Sequence, residues 1–331
     1  MTDAGNHAGK PGKTLLFVHG RDFKPAPESF MDICISAMQV GIERDHPDFI
    51  DDFTALDKRI AYYGDLTSEF LTGQGQRYDE VLDLGDRRNA LIKLRSNEKK
   101  KHFGVSRYDR LPGKSALPEF AADVVAPVLG RLGLYDTLVS RIGPDLAEYW
   151  NPQSDFAERV RERVRSAICL ALDVGNQLFL ISHGTGCIVT YDVLWQLSHD
   201  PAYAEKYSDR KIEIWLTAGA PLGDSIAAKR LLGSDRGGVE RYPVNIVSWH
   251  NLSAEDDYIS HDDTLADDFR QMLKQKQVSC IRDYKVYNLA VRYGKSNPHS
   301  SMGYLVHPRT AQLIIEWLQN APAVPMPTEL L

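Results

Sequence analysis

The sequence predicts an α/β protein built on a mostly parallel, six-stranded sheet flanked by helices. Three observations lead there. Short apolar runs of strand length alternate with longer segments whose apolar residues recur at helical spacing. Several of these runs stop at glycine, where the chain turns. Strands separated by helices are joined by crossovers, which makes neighbours parallel and covers both faces of the sheet.

In chain order, TLLFV at 14–18 is a buried strand that breaks at His19-Gly20. Residues 29–43 carry apolar side chains at helical spacing. RIAYY at 59–63 is a second strand, closed by Gly64. Residues 155–173 form an amphipathic helix with Glu158, Arg161 and Arg165 on its charged face. QLFLIS at 177–182 is the third strand, and the apolar helix CIVTYDVLWQL at 187–197 follows almost at once. IEIWLT at 212–217 is the fourth strand, ended by Ala218-Gly219-Ala220-Pro221. VNIVSW at 244–249 and YKVYNL at 284–289 complete the set. Pro308 opens a last helix over 308–319, in the first turn, where its missing N–H has no helical partner to lose.

The 331 residues, 43% of them hydrophobic and 25% charged, suit a globular chain with a sizeable core. The length suits two small domains or one large α/β domain with an insertion. Its core is 14–65 with 155–320, its insertion 66–154, and its tails are 1–13 and 321–331; the first, polar and Gly-rich, is expected to be disordered. A net charge of -6 gives the whole chain no attraction for nucleic acid, and no apolar run is long enough to span a bilayer. The N-terminus has no apolar stretch of the kind a secretory signal needs. Cys34, Cys169, Cys187 and Cys280 are scattered, with no Cys/His cluster, so neither a metal nor another cofactor is expected. Free, mostly buried thiols fit a cytoplasmic protein.

The insertion breaks the strand–helix rhythm. Its basic run, RRNALIKLRSNEKKKHFGVSRYDR at 87–110, reads either as a solvated loop or as part of a cap over a pocket, with a basic face that attracts an anionic ligand or surface. The acidic stretch 255–268 is expected at the surface near the site.

The chemistry concentrates in LFLISHGTGCIVTYDVL, 178–194. A strand entering a tight turn that opens at once into a helix has the form of a nucleophile elbow, G-x-S-x-G. Small residues must flank such a turn because strand and helix pack closely, and the N–H groups opening the helix point at a developing oxyanion. Ser182 fills the first small position, His183 the variable one and Gly186 the last; the nucleophile position itself is Gly184. Taken alone, the segment also fits a glycine turn of another α/β fold, including a phosphate-binding one. However, it has neither the Lys-Ser/Thr ending of a P-loop nor the spacing of GxGxxG.

Three further segments follow the right strands in the right order. Phe17-Val18-His19-Gly20 resembles the HG segment of an oxyanion hole, which His19, Gly20 and Arg21 would form with the Thr185 N–H. The loop after the fifth strand offers Asp257 as the acid, with Asp256 the alternate, and Asn297-Pro298-His299 offers the histidine. With AYYGD at 61–65, TAGAPL at 217–222 and the His299-to-Leu305 segment HSSMGYL, the chain resembles the lipase- and esterase-like bacterial members of the α/β-hydrolase superfamily over roughly 14–65 and 166–320. The resemblance implies an α/β-hydrolase fold with a cap- or lid-like insertion and a small-molecule acyl or ester substrate. It also implies a site made of residue 184, Asp257 and His299.

Gly184 departs from that pattern. A glycine tolerates the strained turn but offers no oxygen to attack. Serine proteases stripped of triad members keep roughly 10³–10⁴-fold catalysis over water. The chain is therefore expected to be a slow or water-based hydrolase, or a serine enzyme carrying glycine at this position. The alternative is an inactive relative that binds a ligand or regulates.

Overall fold

Successive residues of a strand point to opposite faces of a sheet. In β1 (Lys13–Val18), Leu15 and Phe17 enter one apolar cluster while Leu16 and Val18 enter another, so both faces are buried. The computed structural model describes residues 12–97, 103–113, 143–260 and 264–320. Almost all of the expected 1–13 tail, the whole 321–331 tail, and residues 98–102 and 114–142 of the expected insertion lie outside the described residues.

Five more strands complete the sheet: β2 (Asp57–Ala61), β3 (Gln177–His183), β4 (Ile212–Ala218), β5 (Ile246–Ala254) and β6 (Cys280–Val286). Their order is β2-β1-β3-β4-β5-β6, and every pairing is parallel. This is the α/β architecture the sequence predicts. Helices Pro27–Asp45, Ser301–Val306 and Pro308–Gln319 cover the Leu15 face. Helices Phe156–Asp173 and Gly186–His199 cover the Leu16 face, where Trp215 and Trp249 stack at 4.4 Å. Among the described residues, no helix is long and apolar enough to cross a membrane.

Strand boundaries move for physical reasons. The second strand ends at Ala61 rather than Tyr63, because Tyr63 stacks on His19 at 4.0 Å and its hydroxyl donates to the His19 carbonyl. The fifth runs five residues beyond Trp249 through the polar HNLSA, whose Asn251 is held by Thr217 and Asp283. The sixth runs Cys280–Val286 rather than 284–289; it is an edge strand in which only Ile281 and Val286 are buried, so a search for apolar runs misses its start. Arg165 is another correction. It is buried rather than part of a solvated face, and its guanidinium reaches Gln196 at 2.8 Å and Glu158 at 2.8 Å. In the basic run, residues 87–95 are not loop but the second half of helix Glu80–Arg95, with Arg87 turned inward onto Asp83 at 2.8 Å.

The register sets Ala61, Val18, Ser182, Thr217 and Asn251 side by side, so the loops that follow emerge together at one edge. The chain lays β2 on one side of β1 and then crosses over to lay β3 on the other. That reversal opens a crevice beyond the carboxyl ends of β1 and β3, where open α/β sheets bind ligands.

The crevice depends on one close contact. A Cβ on Gly186 would overlap the His19 carbonyl oxygen. Gly186→Ala should therefore cost about 3 kcal/mol or more, since the opposing atoms are backbone and cannot rotate away. Chemical denaturation of the variant checks this, and a loss below about 1 kcal/mol would show that the approach is dispensable.

Candidate active site

β3 delivers the chain to Gly184 at φ +56, the left-handed region that glycine enters freely and an L-residue enters at a cost of about 1 kcal/mol or more. The Gly184 N–H donates to the Ala218 carbonyl at 2.9 Å, and the Cys187 N–H returns to the Gly184 carbonyl at 3.0 Å. The first N–H of the turn is thus committed to the neighbouring strand, unlike a loop that aims successive amides at a phosphate.

A side chain placed at Gly184 would point at a histidine: its Cβ would lie 3.0 Å from His299 Nε2. The other ring nitrogen, Nδ1, is 3.0 Å from each carboxylate oxygen of Asp257. Asp257 also accepts from the Tyr304 hydroxyl at 2.6 Å and the Ile259 N–H at 3.1 Å, and Tyr304 in turn accepts from the Ala254 N–H at 2.9 Å. Burial would push the Asp257 carboxyl up, but the charge of His299 and the hydrogen bonds from His299 and Tyr304 together hold it down at about 2. An ionised Asp257 fixes the proton on Nδ1 and leaves the Nε2 lone pair facing Gly184.

Two more groups shape this corner. His183 Nε2 donates to the His299 carbonyl at 2.8 Å, with the rings 4.7 Å apart. Desolvation, with His299 close by, pushes His183 down to about 3, so it stays neutral and serves as a donor. Gly219, at φ +59, clears the space in which the pair sits, since a Cβ there would lie 2.9 Å from Asp257 Oδ2.

The HG loop closes the other side. His19 is buried with both ring nitrogens used: Nδ1 donates to the Gly20 carbonyl at 2.8 Å and Nε2 accepts from the Tyr63 N–H at 3.1 Å. It scaffolds the loop and has no ring atom left for proton transfer. Gly20 lets the loop approach β3, where its Cβ would lie 3.0 Å from the His183 carbonyl oxygen. The Arg21 N–H donates to Thr185 Oγ1 at 2.8 Å. Ser182 Oγ is buried and accepts from Trp215 Nε1 at 2.6 Å.

Gly184, Thr185, Asp257, His299 and the HG loop therefore converge. Asp256, at φ +62, turns instead to the Tyr108 hydroxyl at 2.7 Å, so Asp257 is the carboxylate that faces the histidine. Tyr304 and the donor role of His183 are not anticipated from sequence. Tyr304 lies inside the HSSMGYL segment, and His183 occupies the variable elbow position. Among the described residues no group of three or more His, Cys, Asp or Glu could hold a metal ion. The chemistry on offer is an imidazole base, oriented by a carboxylate, facing an open position beside the start of a helix. No protein family, curated protein or solved structure matches this chain.

Burial pushes His19 well below its usual range, His183 to about 3 and His250 to about 4. All three are neutral when folded and protonate near pH 6.5 when unfolded. Their stabilisation is present above that pH and is lost as pH falls toward their folded values. Near pH 5, unfolding should take up about three protons through these groups, a slope of about 4 kcal/mol per pH unit. Denaturant unfolding between pH 7 and 5 tests it, and a flat stability across that window would contradict the buried, neutral assignment.

Proposed function

We propose that this chain is an acyl-ester hydrolase of the α/β-hydrolase type in which water, rather than a side chain, is the nucleophile. One observation carries the reading: His299 Nε2 points at a glycine held in the elbow conformation, with an ionised Asp257 behind it. The chain order of nucleophile position, acid and histidine supports it.

In the proposed reaction His299 Nε2 takes a proton from water as the water oxygen bonds to the ester carbonyl carbon. The Thr185 N–H at the start of the elbow helix, and the Arg21 N–H once it leaves Thr185 Oγ1, bind the oxyanion. Collapse breaks the bond to the alkoxy oxygen, which receives the proton from Nε2. One ester and one water give one carboxylic acid and one alcohol. General-base assistance of this kind contributes roughly 10²–10⁴-fold, so turnover is slow beside that of a full triad.

A second reading, a ligand-holding protein without turnover, draws on the Arg21–Thr185 hydrogen bond, which occupies a donor that catalysis needs.

The parent should hydrolyse p-nitrophenyl acetate without labelling by a fluorophosphonate probe, and His299→Ala should lower that rate about 100-fold or more. Equal rates in both proteins would remove His299 from the chemistry and leave the ligand-holding reading.

Gly184→Ser should gain labelling and at least about tenfold in turnover. The gain needs His299 to retreat by a few tenths of an ångström, because the new Cβ sits 3.0 Å from Nε2. A labelled protein with no gain in turnover would mean that the new serine is nucleophilic while its acylation by the ester, or the hydrolysis of the acyl-enzyme, stays blocked.

A further inference from the structure

Tyr108 closes the short helix Val105–Tyr108 of the insertion. It is buried in the cluster on the Leu15 face, with its ring 5.3 Å from that of Tyr287. A tyrosine buried this way needs a partner for its hydroxyl. Two acceptors lie on the loop that carries Asp257: Asp256 Oδ2 at 2.7 Å and the Glu255 carbonyl oxygen at 2.9 Å. The same stretch of chain reaches the loop that carries His299. The Ser296 N–H donates to the Pro112 carbonyl at 2.7 Å, and a Cβ on Gly113 would lie 3.1 Å from the Lys295 side chain. Helix Glu80–Arg95 holds the turn before it, with Arg292 bonded to Asp83 and Asp86 and the Tyr293 N–H donating to Asp86 at 2.8 Å.

Asp256 stands at φ +62, in the left-handed region, where a residue with a Cβ is at a disadvantage. Aspartate bears this better than most L-residues, because a short polar side chain can be hydrogen-bonded there. The bond here is made across the fold, to Tyr108. The dihedral matters for the residue that follows. Were residue 256 to relax to a negative φ, the peptide leading to Asp257 would rotate and carry its carboxylate away from His299 Nδ1, now 3.0 Å from both oxygens.

We infer that Tyr108 is a positioning residue: by holding Asp256 in the left-handed conformation it sets the backbone from which Asp257 meets His299, so the insertion acts as a clamp on the acid and histidine loops. The inference rests on the hydrolase reading for the rate changes it predicts, and on the geometry alone for the orientation of the pair.

Two substitutions at the exposed residue 256 separate this contact from general packing. Asp256→Ala removes the acceptor and keeps the Cβ, whereas Asp256→Gly removes both and leaves a residue at ease at positive φ. Long-range proton–nitrogen NMR spectra read which ring nitrogen of His299 carries the proton. It should sit on Nδ1 in the parent and in Asp256→Gly, and be divided between Nδ1 and Nε2 in Asp256→Ala and in Tyr108→Phe. With p-nitrophenyl acetate, Asp256→Ala and Tyr108→Phe should lose about tenfold in kcat with KM within about twofold, while Asp256→Gly stays within about threefold of the parent. Adding Asp256→Gly to Tyr108→Phe should return the proton to Nδ1 and bring kcat back to within about threefold of the parent. An undisturbed Nδ1 proton and kcat in Asp256→Ala and Tyr108→Phe would overturn the inference, and so would equal losses in Asp256→Ala and Asp256→Gly. Should Tyr108→Phe not fold, the Asp256 pair decides. If no ester is hydrolysed in a His299-dependent way, the hydrolase reading falls and the tautomer decides the clamp by itself. A proton displaced from Nδ1 by alanine and kept there by glycine supports it, and no difference between the two overturns it.

Discussion

The contact between Gly186 and the His19 carbonyl is the constraint on which the rest of the site depends. β1 and β3 are neighbours in the sheet, and each must release its chain into a loop at the same edge. A helix can begin directly after β3 only if its first residue passes the β1 loop with no Cβ, and Gly186 supplies that. The same proximity brings Arg21 within 2.8 Å of Thr185 and Gly20 against β3. His19, stacked on Tyr63 and bonded through both ring nitrogens, keeps the loop from relaxing away. The crevice is thus produced by backbone packing at the switch point, before any functional side chain is considered.

Onto that frame the loops after β5 and β6 place a polar chain that is costly to bury. Asp257, Tyr304, His299 and His183 are linked end to end, and each hydrogen bond restrains the next group. A buried carboxylate with three donors is stable as an anion, but leaving any one donor out would expose the remaining charge to an apolar surrounding. Gly219 and Gly184 remove two Cβ atoms that would otherwise press on this chain, one from each side of the imidazole. The result is a histidine whose tautomer and orientation are set by its surroundings.

Much of this was legible in the sequence, and the limits are instructive. Fully buried strands such as β1 and β3 announce themselves as unbroken apolar runs, and their ends are marked by glycine. The start of β6 escapes because this edge strand buries only Ile281 and Val286, and the end of β5 escapes because its Asn251 is satisfied by neighbouring strands. Arg165 looks solvated in a linear pattern because its amide partner, Gln196, waits on a different helix, and the i,i+4 pair of Arg87 with Asp83 lies on one helix but does not reveal that the pair is buried. Within the site, glycine positions and chain order pointed to Gly184, Asp257 and His299. The Tyr304 hydroxyl and the His183 donor belong to contacts between residues 47 and 116 positions apart, which only the folded chain creates.

Gly184 changes the physical problem the site solves. With serine, the strain of a positive φ is carried by a side-chain-bearing residue, and the histidine must stand back far enough to leave an oxygen between itself and the turn. With glycine, the turn carries no such strain, and Nε2 comes to 3.0 Å from where a Cβ would be. The imidazole and the turn are therefore fitted to each other around a missing side chain. The Asp257 carboxylate is fully enclosed while the His299 ring is a quarter exposed, so the ring reaches the open position from a protected partner. The pair is oriented at an open position next to a helix N-terminus, and the proposed proton transfer rests on that orientation.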